Sequence, residues 1–232
     1  MKYPRTYHLP FSPGSTNDDK KYKKNWFELY RGKEVVITEK LDGENIHMDK
    51  DDCFARSDGA STRSPWTKNI WSPSNGLYWR VQSLIGPGET VFGENLYGEH
   101  AIKYDMLSTY FHMFGVVGPS KENPQSTIFY SWEDIKKMSE KLDIPTVPVI
   151  FEGVLESEKQ LKKIIEDTMK EPSAYGTTKE GVVMRIKDAF LFDDFSKCVC
   201  KWVRPNHVQE GAMHWTKNWK RADLNNNYIY YY

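Results

Sequence analysis

Short β-branched or aromatic runs alternate along the chain with polar, glycine-bearing turns, and longer stretches of helical spacing fall between them. Glu34-Val35-Val36-Ile37-Thr38-Glu39 is the clearest strand, and it ends at the turn Lys40-Leu41-Asp42-Gly43. Glu44–Met48 and Cys53–Arg56 read as the next strands, separated by Asp49-Lys50-Asp51-Asp52. Further strands are expected at Thr90–Tyr97, Tyr110–Val117, Thr146–Phe151, Gly181–Ile186 and Phe195–Val203. Residues 66–85 read as partly helical, interrupted by Pro73 and Gly76. Ser131-Trp132-Glu133-Asp134 opens a helix, with the serine accepting from the first turn and Asp134 at the positive end; it stops before Pro145. Ser157–Lys170 is amphipathic, with Leu161, Ile164, Ile165 and Met169 on its inner face. Residues 1–24 read as an irregular lead-in. The order predicts an α+β domain of mostly antiparallel sheets flanked by helices over residues 1–210, followed by a short tail, 211–232.

Composition narrows the class. With 232 residues, 39% hydrophobic and 14% aromatic, the chain is large enough for a substantial core. No apolar run approaches membrane length, and Met1-Lys2-Tyr3-Pro4-Arg5 lacks the apolar stretch of a secretory signal, so a cytoplasmic protein is expected. Three cysteines, an odd number, fit buried free thiols in a reducing compartment. The formal net charge is zero, unlike that of most dedicated nucleic-acid-binding domains. The charge is unevenly spread, however. Lys20, Lys21, Lys23 and Lys24 cluster early, and Lys217, Lys220 and Arg221 sit near the end among Trp215, Trp219 and several tyrosines. Such clusters suit either a phosphate backbone or a solvated surface.

Lys40 ends an apolar strand just before a glycine turn, where desolvation and neighbouring cations would lower its pKa and free the amine as a nucleophile. Asp42 and Gly43 build the turn, and Gly43 lets a phosphate or sugar approach the backbone. Glu94, in Phe92-Gly93-Glu94, and Glu180, in Glu180-Gly181-Val182-Val183, each stand beside a glycine at a strand end. Two carboxylates aimed into one cleft would bind a divalent ion or a ribose hydroxyl. Read as one strand, Phe195–Val203 puts Lys197 and Lys201 on a shared face, where a lysine would neutralise a triphosphate and stabilise a leaving group. The same pattern fits an edge strand guarded by lysines. Arg56-Ser57 and Arg204 add bidentate phosphate donors, and Phe114 is a strand aromatic able to stack on a purine or to fill core. Histidines 8, 47, 100, 112, 207 and 214 show no metal-ligand spacing, and neither a Gly-x4-Gly-Lys-Ser/Thr loop nor a Gly-x-Ser-x-Gly elbow is present. In this order the motifs point to lysine-based phosphoryl chemistry with a metal.

The ordered set resembles the ATP-dependent RNA ligases of the covalent nucleotidyltransferase superfamily, in a phage and bacterial branch. Lys40-Leu41-Asp42-Gly43 is similar to motif I, Phe92-Gly93-Glu94 to motif III, Glu180-Gly181-Val182-Val183 to motif IV, and Lys201 to the key lysine of motif V. Phe114 falls where the family's adenine-stacking aromatic sits. Arg5-Thr6-Tyr7-His8-Leu9, Glu94-Asn95-Leu96-Tyr97-Gly98-Glu99-His100 and Lys201-Trp202-Val203-Arg204-Pro205-Asn206-His207-Val208 are similar to the same branch, so that the resemblance spans about residues 1–210. It implies a domain that uses ATP with Mg2+ (or Mn2+) on RNA carrying 5′-phosphate and 3′-hydroxyl ends. Lys40 would take AMP from ATP, the AMP would pass to the RNA 5′-phosphate, and the 3′-hydroxyl would displace it. By the same resemblance Glu39 accepts from the adenine amine, Arg56 contacts a nucleotide or RNA phosphate, and Glu94 holds the ribose. Glu180 binds the metal, with Glu94 as a second candidate ligand, and Lys201 grips the α-phosphate. Asp42 and Gly43 complete the nucleotide-binding set.

Two departures from the family pattern matter. Val199 stands where many relatives carry the first lysine of a Lys-x-Lys pair in motif V, which leaves Lys197 as the substitute to test. About 30 residues follow Val203, too few for an OB-fold, which disfavours DNA-ligase and capping activities. The expected function is therefore an RNA ligase. The alternatives are an RNA-end adenylyltransferase that needs a partner protein for sealing, and a catalytically silent RNA-binding relative. The intact residue types at Lys40, Glu180 and Lys201 speak against the last.

Overall fold

A computed structural model describes residues 1–56, 61–73, 76–205 and 219–225. In chain order the first elements are β1 (Tyr7–His8), β2 (Glu34–Lys40), β3 (Glu44–Met48), β4 (Cys53–Ala55), α1 (Lys68–Trp71), α2 (Leu77–Leu84), β5 (Thr90–Asn95) and β6 (Phe111–Pro119). They are followed by β7 (Thr127–Phe129), α3 (Trp132–Leu142), β8 (Val149–Val154), α4 (Glu158–Thr168), β9 (Gly181–Ile186), β10 (Phe190–Leu191), α5 (Phe195–Cys198) and β11 (Val199–Val203). The strands form a five-stranded sheet in the order β1-β11-β9-β2-β8 and a six-stranded sheet in the order β10-β7-β6-β5-β3-β4. Every pairing between these strands is antiparallel except β1 with β11, which is parallel. The expected α+β class with antiparallel sheets is the observed one. Among the described residues no helix is long and apolar enough to cross a membrane.

Why these segments pair is visible in their burial. Val35, Val36 and Ile37 are fully buried because β2 is central, flanked by β9 and β8 and covered on both faces. One core cluster packs the six-stranded sheet (Ile46, Met48, Val91, Val116) against Ile70, Val81, Trp132, Ile135 and Leu142 of α1 to α3. A second covers the five-stranded sheet with Leu161 and Ile165 of α4 and with Trp26, Phe27 and Tyr30 from the segment before β2, and reaches Phe92 and Phe129 of the other sheet. The α4 face is thus the predicted one, Ile164 and Met169 being partly buried beside it. The α3 cap is also as read: Ser131 Oγ accepts from the Asp134 amide at 3.1 Å. Cys53, Cys198 and Cys200 are free and buried.

Four expectations are corrected. Phe195–Val203 is not one strand, because Phe195–Cys198 forms the helical turn α5 and only Val199–Val203 is extended. Asp193 and Asp194 favour a helix start, and Asp194 pairs with Lys197 three residues on, at 2.7 Å. The strand expected at Thr146–Phe151 begins at Val149. Pro145 and Pro148 lack amide donors, and the residues between them pair elsewhere: Val147 donates to Met113 at 2.9 Å and Met113 to the Pro145 carbonyl at 2.8 Å. This segment therefore ties β6 of one sheet to β8 of the other. The lead-in is not wholly irregular, since β1 pairs with β11. Part of the expected tail is docked: Gly98 bridges Arg221, Leu107 bridges Leu224, and Ala222 is buried. Ser57, His207, His214, Trp215 and Lys217, with most of residues 211–232, lie outside the described residues.

Gly181 leaves no room for a side chain in the five-stranded sheet. A Cβ there would overlap the Trp202 carbonyl oxygen in the β9–β11 ladder. Gly181→Ala is expected to destabilise the fold by about 2 kcal/mol or more, since backbone rather than a side chain must move. Urea unfolding checks this, and a loss below about 0.5 kcal/mol would show that the ladder can relax.

Candidate active site

Between the two sheets lies a cavity of about 360 Å³. Glu39, Lys40, Gly43, Arg56, Glu94, Phe114 and Lys201, all predicted from sequence, line it. A larger open depression, about 1350 Å³, is bounded by Trp71, Arg80, Tyr110 and Asp143, but none of the candidate residues reaches it. The candidate residues gather at the smaller space.

Lys40 is the last residue of β2, and its register partner on β9 is Gly181. That pairing brings Glu180 beside the lysine: Lys40 Nζ donates to Glu180 Oε2 at 2.6 Å, with the two side chains 24% and 6% exposed. Glu94 arrives from β5 of the other sheet and accepts from the Gly43 amide at 3.1 Å. Gly43 is required there, because a Cβ would sit 2.6 Å from the Asn95 carbonyl oxygen. Asp42 faces away from the cavity: its Oδ2 accepts from the Ile102 amide at 2.9 Å, while its own amide donates to the Tyr104 hydroxyl at 2.8 Å. It supports the turn that aims Lys40.

The electrostatics reverse one expectation. Burial alone would lower the Lys40 pKa, but Glu180, Glu94 and Asp42 outweigh it and raise the lysine above its usual value. Lys40 is therefore held as an ammonium, not primed as a free amine. Burial also raises Glu180, against the pull of Lys40, and pushes Glu94 up to about 8. The acids around Lys40 raise it, burial raises Glu94 and Glu180, and the acids outnumber the cation they surround. Lys201, paired on β11 with Val183, is lowered by burial and by the cations Lys40 and Arg56.

That surplus of acid suits a divalent cation. Among the described residues no three His, Cys, Asp or Glu side chains converge as a ready-made metal cage. Two carboxylates beside a phosphate-sized space fit the way Mg2+ is held, through one or two carboxylates plus substrate phosphates.

Phe114 reaches the cavity through a bulge. Phe92 pairs with Gly115 and Gly93 with Met113, so Phe114 is an extra residue on β6 and its ring turns toward the space. Tyr3 packs on it edge-on, 5.1 Å between centroids. Glu39, 2% exposed, accepts from Ser173 Oγ at 2.5 Å and from the Ala174 amide at 3.1 Å. Arg56 donates through Nε to the Tyr3 carbonyl at 3.3 Å.

Lys197 is not brought to the site. It lies on α5, its side chain is 64% exposed, and it is paired with Asp194. The helical turn takes it off the β11 face that carries Lys201, so it does not replace the lysine absent at Val199, which does line the cavity. Arg204 also stays outside the lining. Sequence reasoning missed Arg185, Tyr3 and Asn45, all of which line the space. Arg185 left a signal: an arginine two positions from Val183, inside the apolar run Gly181–Ile186. Tyr3 left none.

The model of the RNA ligase family matches residues 33–203, a span that contains Lys40, Glu94, Phe114, Glu180 and Lys201. The chain belongs to the RNA ligase family. Solved structures carry the same fold. A Naegleria gruberi RNA ligase variant with ATP and Mn is similar over 88% of this chain and 61% of its own, with a TM-score of 0.55 and 16% identity. The same organism's RNA ligase with PPi is similar over 91% and 63%, with a TM-score of 0.54 and 16% identity. An archaeal ATP-dependent RNA ligase is similar over 88% and 48%, with a TM-score of 0.51 and 14% identity. The chain thus spans less than two thirds of the length of each. No curated protein matches the sequence.

In buffer free of divalent ions the Glu94 carboxyl sets a pH dependence of stability. Its folded value near 8 lies above the reference 4.5, so the folded chain keeps a proton that the unfolded chain has lost. Stability is fully present below the unfolded value and falls as pH rises toward 8. Glu94→Gln is expected to remove that decline, so its advantage over wild type grows across this range. Melting curves in a chelator read the difference, and a gap that stays constant with pH would place the proton elsewhere.

Proposed function

We propose that this protein is an ATP-dependent RNA ligase that joins 5′-phosphate and 3′-hydroxyl ends through a covalent lysyl-AMP. The observation that carries the reading is the Lys40–Glu180 contact at 2.6 Å, Lys40 itself lining one cavity with Glu94, Arg56, Phe114 and Lys201. Family membership and the solved relatives with ATP and Mn or with PPi support it.

In this reading the adenine enters between the sheets beside Phe114 and Val183, both of which line the cavity. Glu39, oriented by Ser173 and the Ala174 amide, offers its remaining acceptor capacity to the adenine amine. Glu94, fixed by the Gly43 amide, takes the ribose. Lys201 and Arg56 bring positive charge to the α-phosphate, and burial strengthens each contact. A divalent cation held by Glu180, with Glu94 nearby, would supply charge neutralisation for the phosphates. After losing its proton, Lys40 Nζ attacks the α-phosphorus; the N–P bond forms as the P–O bond to pyrophosphate breaks. An RNA 5′-phosphate oxygen then displaces the lysine, and a 3′-hydroxyl oxygen displaces AMP to leave the phosphodiester. Little covalent chemistry is asked of other side chains, whose task is positioning and charge.

Incubation with ATP labelled at the α-phosphate and Mg2+ is expected to label wild type and not Lys40→Ala on a denaturing gel. The labelling rate should climb with pH below the raised lysine value, about tenfold per unit, because only the neutral amine attacks. A pH-independent rate would assign the limiting step elsewhere, and absence of adduct from folded wild type would sink the ligase reading. Products on 5′-phosphorylated RNA separate sealing from end-adenylylation alone. Glu39→Ala should narrow the preference for ATP over GTP, since guanine presents a carbonyl where adenine presents an amine; an unchanged ratio removes Glu39 from base recognition.

A further inference from the structure

The lysine cluster at residues 20–24 has a defined place in the fold. Lys20, Lys21, Lys23 and Lys24 are all exposed, and among the described residues none of them pairs with a carboxylate. Elsewhere the pattern differs: Lys136, Lys162, Lys163 and Lys197 each hold an acid three or four residues away. Those four lysines are neutralised locally and the cluster is not.

The cluster forms a ribbon beside the cavity. His8 on β1 is the register partner of Lys201 on one side and bridges Lys21 on the other. The amide of His8 donates to the Lys20 carbonyl at 2.8 Å, and that of Tyr22 to the His8 carbonyl at 2.9 Å. Lys21 therefore lies two strand spacings, about 10 Å, from Lys201. Partners in register share a sheet face, so Lys21 is set on the face that carries Lys201 and the cavity. Arg5, Thr6 and Asp19, from the chain between Tyr3 and Lys20, line the cavity wall. The ribbon is also anchored. The Tyr22 hydroxyl donates to the Ser196 carbonyl at 2.7 Å, and its ring stacks on Trp26 at 7° and 6.0 Å. Asp19 is turned onto Thr16 and His8.

We infer that this ribbon is the track for the sugar–phosphate backbone of the RNA strand whose 5′ end enters the cavity, an inference that rests on the ligase reading. Tyr22 and Trp26 are committed to internal packing, so the ribbon offers charge and no stacking platform. The contact is accordingly with phosphates and indifferent to base sequence. A membrane surface is a poorer fit, since the aromatics that would insert are turned inward.

The test uses the full chain carrying K20Q, K21Q, K23Q and K24Q together. Lysyl-AMP formation from ATP is expected to stay within about twofold of wild type, which also reports that the variant is folded. Affinity for a short 5′-phosphorylated single-stranded RNA is measured from about 50 to 200 mM salt. The slope of log affinity on log salt should fall by about 2 to 3, from roughly 0.7 per lost phosphate contact. AMP transfer to the RNA end should slow at low RNA and recover at saturation. A variant that labels normally and keeps the wild-type salt slope overturns the track and leaves the ligase reading intact. Wild type that forms no lysyl-AMP but loses its salt slope with the lysines supports the track and removes the chemistry. Wild type that binds phosphatidylserine vesicles and not the RNA overturns the track in favour of a lipid surface.

Discussion

An ammonium enclosed by acidic side chains between two sheets is the constraint on which the rest depends. Lys40, Glu180 and Glu94 come from β2, the residue before β9, and β5, and no two of them share a strand. A buried ion pair gains stability only when its geometry is good and its remaining groups are hydrogen-bonded, because desolvation of each charge costs several kcal/mol. The fold meets that condition through backbone. The β2–β9 register places Glu180 on Lys40, and the Gly43 amide orients Glu94. The glycines follow from the same demand: Gly43 and Gly181 stand where a Cβ would strike neighbouring carbonyl oxygens and push the charged ends apart.

Much of this was legible in the sequence, because each motif couples a strand end to a turn and both leave local signals. β3 and β9 fall at the read boundaries, and the α3 cap is the one read. What was not legible is tertiary. Nothing in linear spacing reports that Glu94 and Glu180 meet across sheets, or that the 145–147 segment pairs with Met113 before joining the other sheet. Phe114 was found by resemblance, yet the reason it faces the cavity is a bulge, and a bulge is a misalignment of two strands. Lys197 failed for a local reason: an alternation of two between Lys197 and Lys201 reads as a strand only if the backbone is extended, and the Asp194 contact turns it helical. The sign of the Lys40 shift failed for a distributed one, since it depends on how many carboxylates gather around the amine.

Three side chains whose burial costs stability stand around the same cavity. Arg185 is 6% exposed and, among the described residues, meets no carboxylate; its donors go to the Ile186 and Tyr130 carbonyls, and it lies near the faces of Trp132 and Phe190. Burial pulls its pKa down to about 10. Among the described residues Trp132 keeps its indole N–H without a partner, and His112, the register partner of Glu94, keeps both ring nitrogens so. Burial holds that imidazole neutral, pushed down to about 3, against the Tyr175 ring at 4.6 Å. An unpartnered buried polar group costs about 1 to 3 kcal/mol, and apolar replacement of a buried charge is often neutral or stabilising. Packing alone therefore gives no reason for an arginine, an open indole donor and a bare imidazole at these positions. Their common feature is the cavity: Arg185 and Trp132 line it, and His112 backs the strand that presents Glu94. Where these three side chains give up stability, the cost belongs to what the cavity holds.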